Sequence, residues 1–299
     1  MPTIPTPPSG SPHQHRAVAE SFGTDPARYD RARPRYPDEL IARILAGLPG
    51  PEVLDVGTGT GIVARQVRAA GGHVVGVEPD ERMAAAARAT GIPVEVATFE
   101  RWDPAGRMVD AVVAGQAWHW VDPVAGAAKA AQVLRPGGRL AVFWNADEPP
   151  AEAAAALAEA YRRLAPPSTP APGSTSPLAS TRARAVTPAT PAPAATPDQA
   201  SGAAPERPVS VAAAYATMAG RAADSMRAAG AYDEPERWEF RGERSYTRES
   251  WLEYVATTGF FTHAAAGLRA EVLAAIGAAV PETVTVRFTT VAATALRTA

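Results

Sequence analysis

The sequence predicts an α/β protein built on a mostly parallel sheet, and three observations predict it. Short apolar runs alternate with helical patterns from residue 52 to residue 144. The first run enters a glycine-rich turn, Gly57-Thr58-Gly59-Thr60-Gly61, from which a helix departs. The second run ends on an acid, Glu78. Strands that alternate with helices favour parallel pairing through right-handed crossovers.

The elements follow in order. Glu52 to Val56 reads as the first strand, and Ile62, Val63 and Val67 mark one face of the helix after the turn. His73 to Val77 is a strand, Asp80 to Thr90 a helix and Val94 to Ala97 a third strand. Val109 to Ala114 is a fourth strand, and Asp122 to Leu134 a helix. Arg135-Pro136-Gly137-Gly138 is a stop signal before a fifth strand, Arg139 to Trp144. Ala151 to Leu164 is an alanine-rich helix, and Val209 to Ala229 resumes as helix. Arg237 to Tyr246 reads as a strand, with Glu249 to Thr257 and Leu268 to Ala279 as helices. Leu268, Val272, Leu273 and Ile276 form one apolar stripe. Glu282 to Leu296, rich in Val and Thr, is a closing strand.

Composition sets the frame. The chain has 299 residues, no cysteine, and 29 basic against 31 acidic residues. Disulfides, thiolate metal sites and cysteine nucleophiles are excluded. The near-neutral charge offers no general grip on nucleic acid, so no nucleic-acid partner is expected. No apolar run approaches the roughly 18 residues of a spanning helix, and Met1 to Ser11 lacks a signal-peptide core, so a cytoplasmic protein without a membrane partner is expected. Eleven of the 30 prolines fall between Pro166 and Pro208, where Leu178 and Val186 are the only large aliphatics. Such a segment buries too little to offset chain ordering, so 166–208 is expected to be a disordered insert and 1–16 a disordered tail. Residues 17–165 then form a cofactor-binding core, and 209–299 complete the same domain with pocket helices and the last two strands. His13 and His15 have metal-ligand side chains but no defined third ligand, and no metal is expected.

The turn carries the sharpest chemistry. Glycines between strand and helix let a ligand approach the backbone. The spacing departs from a nicotinamide fingerprint, because residue 62 is Ile where that pattern has its third glycine. Asp55, just before the turn, opposes a diphosphate and suits a cationic ligand. Glu78, 23 residues after Asp55, is placed to accept hydrogen bonds from both hydroxyls of a ribose.

Asp55 to Gly61, then Val77-Glu78-Pro79-Asp80, then Val133 to Leu140 together resemble the class I S-adenosylmethionine-dependent methyltransferases. The resemblance implies a Rossmann-like seven-stranded sheet, mostly parallel with a final antiparallel strand and helices on both faces. Two more segments, Tyr29 to Pro37 and Gly115-Gln116-Ala117-Trp118-His119-Trp120, resemble a trans-aconitate-methyltransferase-like branch, which implies methylation of a small molecule. The implied cofactor is S-adenosyl-L-methionine. By the resemblance, Gly57, Thr58, Gly59 and Gly61 lie under its methionyl and ribose parts, and Asp55 orients the turn or meets its ammonium. Glu78 holds the ribose diol, Pro79 and Met83 flank the adenine, and Phe99 and Glu100 reach the adenine edge. Gln116 sits where cofactor and substrate meet.

The acceptor side keeps open alternatives. His119 is either a general base or a shape-setting residue between two tryptophans. Trp118 and Trp120 either face the substrate or pack. Tyr29, Arg33 and Tyr36 lie on a segment over the pocket, where Arg33 clamps a substrate carboxylate, clamps the cofactor's carboxylate, or fixes the segment by an ion pair. Tyr246, Trp251, Tyr254 and Phe260-Phe261 either line the pocket or form a satellite core. The resulting expectation is methyl transfer to an oxygen (carboxylate or hydroxyl) or a nitrogen of a small molecule. The alternative is a non-catalytic or regulatory protein that retains the cofactor.

Overall fold

The computed structural model describes residues 21–164, 211–262 and 264–299, with the side chain of residue 260 excepted. The expected tail, 1–16, and the expected insert, 166–208, lie outside the described residues. Helices α1 (Pro26–Ala32) and α2 (Asp38–Leu45) precede the sheet. Then β1 (Glu52–Val56), α3 (Ile62–Ala69), β2 (His73–Glu78), α4 (Glu81–Ala89) and β3 (Val94–Val96) alternate. β4 (Val109–Gly115), a 3-10 turn (Trp118–Trp120), α5 (Pro123–Val133) and β5 (Leu134–Glu148) continue the pattern. α6 (Ala151–Leu164) and α7 (Val211–Ala229) follow. The chain closes through β6 (Glu236–Thr247), α8 (Arg248–Ala256), α9 (Gly259–Thr262), α10 (Ala266–Ala279) and β7 (Thr283–Leu296).

The seven strands form one sheet in the order β3-β2-β1-β4-β5-β7-β6. β1 pairs in parallel with both β2 and β4, and β7 runs antiparallel to both β5 and β6. Strand order therefore reverses between β1 and β4, which opens a crevice beyond their carboxyl ends.

Side-chain alternation along the strands divides the core. Leu54, Val112, Leu140 and Val142 point to one face, which α5 and α7 cover with Ala130, Val133, Ala222 and Met226. Val53, Ala111, Val113 and Phe143 point to the other, under α2 and α3. On α2, Leu40, Ile41 and Ile44 are fully buried, each contributing about 1.5–3 kcal/mol of transfer free energy. A third cluster, with Leu157, Trp251, Phe261, Val272 and Val284, packs α6, α8, α9 and α10 on the far ends of β6 and β7.

Two sequence expectations are corrected. Arg135-Pro136-Gly137-Gly138 does not precede β5; it is a bulge inside it. Val109 pairs with Leu134 and Ala111 with Arg139, so the intervening residues loop out. Gly137 takes a left-handed φ of 77°, its N–H donates to the Arg297 carbonyl at 2.8 Å, and the Arg297 N–H donates to the Gly138 carbonyl at 2.7 Å. Backbone bonds to the last residues of the chain thus keep the glycines in the ladder. On α10, Val272 and Ile276 are buried, but Leu268 is exposed, because the helix meets its neighbours only from its second turn onward. No described helix is long and apolar enough to cross a membrane.

Candidate functional site

The site grows from the β1–α3 turn. Gly57, Gly59 and Gly61 have φ of 65°, 57° and 86°, the left-handed region that glycine enters without steric cost. A Cβ on Gly57 would stand 2.5 Å from the Ala117 Cβ, so the turn is also pressed against the segment after β4. The Thr58 hydroxyl donates to the Asp55 carboxylate at 2.6 Å, which ties the turn to the strand beneath it.

Across the crevice, the Glu78 carboxylate accepts the Gly59 N–H at 2.8 Å and the Asp80 N–H at 3.0 Å. Asp55 and Glu78 are both buried, and burial pushes each carboxyl up to about 7. The hydrogen bonds from Thr58, Gly59 and Asp80 offset part of that shift. Among the described residues no cation lowers either carboxyl, so the pair suits a ligand that brings positive charge.

A cavity of about 640 Å³ opens over these carboxyl ends. Gly57, Gly59, Glu78, Pro79 and Met83 line one side. Phe99, Glu100, Gln116, His119 and Trp120 line the next. Asp55, Thr58 and Tyr36 face instead a small side pocket of about 50 Å³ beneath the turn, which Gly57, Gly59, Gln116, Tyr29 and Arg33 share with the main cavity. Gly61 lines neither; it starts α3, and a Cβ there would stand 3.3 Å from Ala87.

The N-terminal segment closes the cavity from above. Asp30 on α1 accepts the Thr60 hydroxyl at 2.7 Å and the Arg65 guanidinium at 2.6 Å. Gln66 holds the Tyr36 backbone at both its N–H and its carbonyl. Tyr36 itself is buried with its ring edge-on to Phe143 at 4.7 Å, so it shapes the floor rather than the main cavity. Arg33 lies over the Tyr29 ring at 4.9 Å and donates to the Thr257 carbonyl at 2.7 Å, while its Nε is buried without a hydrogen-bond partner.

The turn after β4 sorts its aromatic residues. Gln116 takes φ of 54°, unusual for a side-chain-bearing residue, and is held there by its N–H to the Phe143 carbonyl and its Nε2 to the Asn145 carbonyl. The 3-10 turn then sends Trp118 inward, where it is 3 % exposed and packs on Phe99 and Gly126. Trp118 is a core residue and does not line the cavity, whereas His119 and Trp120 do. The expected substrate-facing role of Trp118 is corrected on that ground.

Of the far end of the cavity, the sequence offers Tyr254 alone as a lining candidate. That end brings Asp147 of β5 together with Tyr161, Tyr215 and Tyr254 from α6, α7 and α8. Burial pushes the Asp147 carboxyl above its ordinary range, and Arg33 and Tyr254 pull it back. The late aromatic group divides. Tyr246, Trp251 and Phe261 belong to the third core cluster, and Tyr254 alone among its described members lines both core and cavity.

A sheet that reverses order beside a left-handed glycine turn, with a buried acid ending the next strand, is the arrangement of the class I S-adenosylmethionine-dependent methyltransferase fold. The residues fit that cofactor: Glu78 offers carboxylate oxygens to a diol, the turn offers backbone, and the carboxylates favour a cation. Residues 54–142 match the family described as a methyltransferase domain. An uncharacterized methyltransferase of Mycobacterium tuberculosis (strain H37Rv) is 42% identical over 133 residues, which is 44% of this chain and 54% of that relative. The ubiquinone biosynthesis O-methyltransferase of Aromatoleum aromaticum is 35% identical over 103 residues, 32% of this chain and 44% of that one. The chain thus matches about half the length of its curated relatives. A solved structure from Anaeromyxobacter dehalogenans, assigned to the type II methyltransferases, shares the fold with a TM-score of 0.55 and 20% identity, over 88% of this chain and 97% of that one.

Proposed function

We propose that this protein transfers a methyl group from S-adenosylmethionine to an oxygen or nitrogen of a small molecule. One observation carries the reading. The Glu78–Gly59 arrangement and the Asp147–tyrosine cluster lie at opposite ends of one cavity of about 640 Å³, room for a cofactor and a modest acceptor together. When bound, the cofactor supplies an activated methyl on a sulfonium. The protein's own work is then to align an acceptor and exclude water. Glu78 binds the ribose, the turn approaches the methionyl part, Pro79 and Met83 flank the adenine, and Phe99 and Glu100 reach its edge. The segment from Phe22 to Arg33 covers the cavity and keeps water out. The oxygen acceptor named for the Aromatoleum relative and the likeness of Tyr29–Pro37 and Gln116–Trp120 to a small-molecule branch support the acceptor class.

The test is a panel of carboxylic acids, phenols and amines incubated with protein and a methyl-labelled cofactor. Label in at least one acceptor, lost in Glu78→Ala, is the expected result. Cofactor binding with label in none would favour the non-catalytic alternative.

A further inference from the structure

His119 lines the cavity, yet its Nδ1 faces away from it and lies 3.1 Å from Trp144 Nε1. An indole N–H only donates, so Nδ1 must accept, and a neutral imidazole that accepts at Nδ1 carries its proton on Nε2. Trp144 is itself fixed: it is 1 % exposed in the middle of β5, paired with Val291 of β7. The tautomer is therefore set by the core of the sheet and not by the ligand. Nε2 has no partner among the described residues and is not sealed from the cavity. Burial alone pushes the His119 imidazole down to about 4; no neighbouring charge contributes. The charged groups lining the same cavity are Glu78, Glu100 and Asp147, with Arg33 and Arg101.

We propose that His119 is a positioning residue, a neutral Nε2–H donor locked by Trp144, which holds an anionic oxygen of the methyl acceptor and takes no proton from it. This deepens the methyltransferase reading and rests on it. A base at this position would need a free lone pair facing the acceptor, and the lone pair of this ring faces the indole. An acceptor that uses this site arrives already ionised, as a carboxylate does at neutral pH.

The experiment is long-range proton–nitrogen NMR on the full chain labelled with nitrogen-15 and saturated with S-adenosylhomocysteine, with benzoate as the acceptor probe. One protonated and one bare nitrogen, unchanged from about pH 5.5 to about 8.5, are expected, and Trp144→Phe should mix the tautomers. Benzoate should shift the Nε2–H proton saturably, and His119→Gln, which keeps a side-chain N–H, should retain benzoate binding within about threefold while His119→Ala loses about tenfold or more. A ring that titrates in that range, a proton on Nδ1, or an Nε2–H indifferent to benzoate would overturn the inference. Calorimetry of cofactor binding on the same samples separates the failures. Absent binding defeats the methyltransferase reading, whereas binding with a titrating ring defeats this inference alone.

Discussion

The Glu78 carboxylate spans the crevice between β2 and the β1–α3 turn and accepts the Gly59 N–H at 2.8 Å. In the proposed cofactor site, the bond fixes the carboxylate that would meet the ribose diol. It also couples cofactor binding to a proton, because burial holds the Glu78 carboxyl up at about 7 in the free protein. A diol and a cation both favour the ionised carboxylate, so binding lowers its pKa and releases a proton near neutrality. Affinity for S-adenosylmethionine should therefore rise from pH 6 to pH 8, as the free protein loses that proton by itself. Calorimetry in buffers of different ionisation enthalpy measures the release, and Glu78→Gln should abolish its larger part.

Asp55 gives a stability prediction with the opposite slope. Its carboxyl moves from an ordinary 3.8 to about 7 on folding, chiefly through burial. The folded state then binds the proton more tightly than the unfolded chain, so this contribution is complete below 3.8 and is lost as pH rises through about 7. Denaturant unfolding of Asp55→Asn should show a flatter fall in stability across that window than wild type.

Gly57→Ala tests the turn. The new Cβ meets Ala117 at 2.5 Å on a backbone at φ 65°. Left-handed strain alone costs about 1–2 kcal/mol, and the clash adds to it. A lower Tm with cofactor binding lost is expected, whereas Gly47→Ala, at φ 72° with nothing near its Cβ, should pay the strain alone and keep binding.

Asp30 tests the cover. Asp30→Ala leaves the Thr60 hydroxyl and the Arg65 guanidinium without their shared acceptor. Stability should fall by about 1 kcal/mol and cofactor dissociation should quicken in stopped flow. Arg31→Ala removes only the more exposed pair with Glu253 and should change neither measurably.

What could be read from the sequence was local. The turn and Glu78 sit within 23 residues of Asp55, and their chemistry survives as a pattern of residue types. The β5 bulge could not be read, because Arg135-Pro136-Gly137-Gly138 in isolation reads as a stop between a helix and the next strand, and belongs to the strand only when Arg297 bonds back to it. Trp118 and Trp120 differ by two residues, and only the 3-10 geometry, set by the φ of Gln116, decides which one faces the cavity. Asp147, Tyr161, Tyr215 and Tyr254 come from four elements that no spacing rule connects. The His119–Trp144 bond joins residues 25 apart on neighbouring segments, which the sequence does not reveal.

We propose that Glu78 and the glycine turn hold S-adenosylmethionine. Calorimetric titration of the protein with that cofactor, with NAD as the control ligand and Glu78→Ala beside the wild type, decides it. Micromolar binding, no response to NAD, and a loss of tenfold or more in Glu78→Ala, about 1.4 kcal/mol, are expected. Absent binding, a preference for NAD, or an unchanged affinity in Glu78→Ala would contradict it.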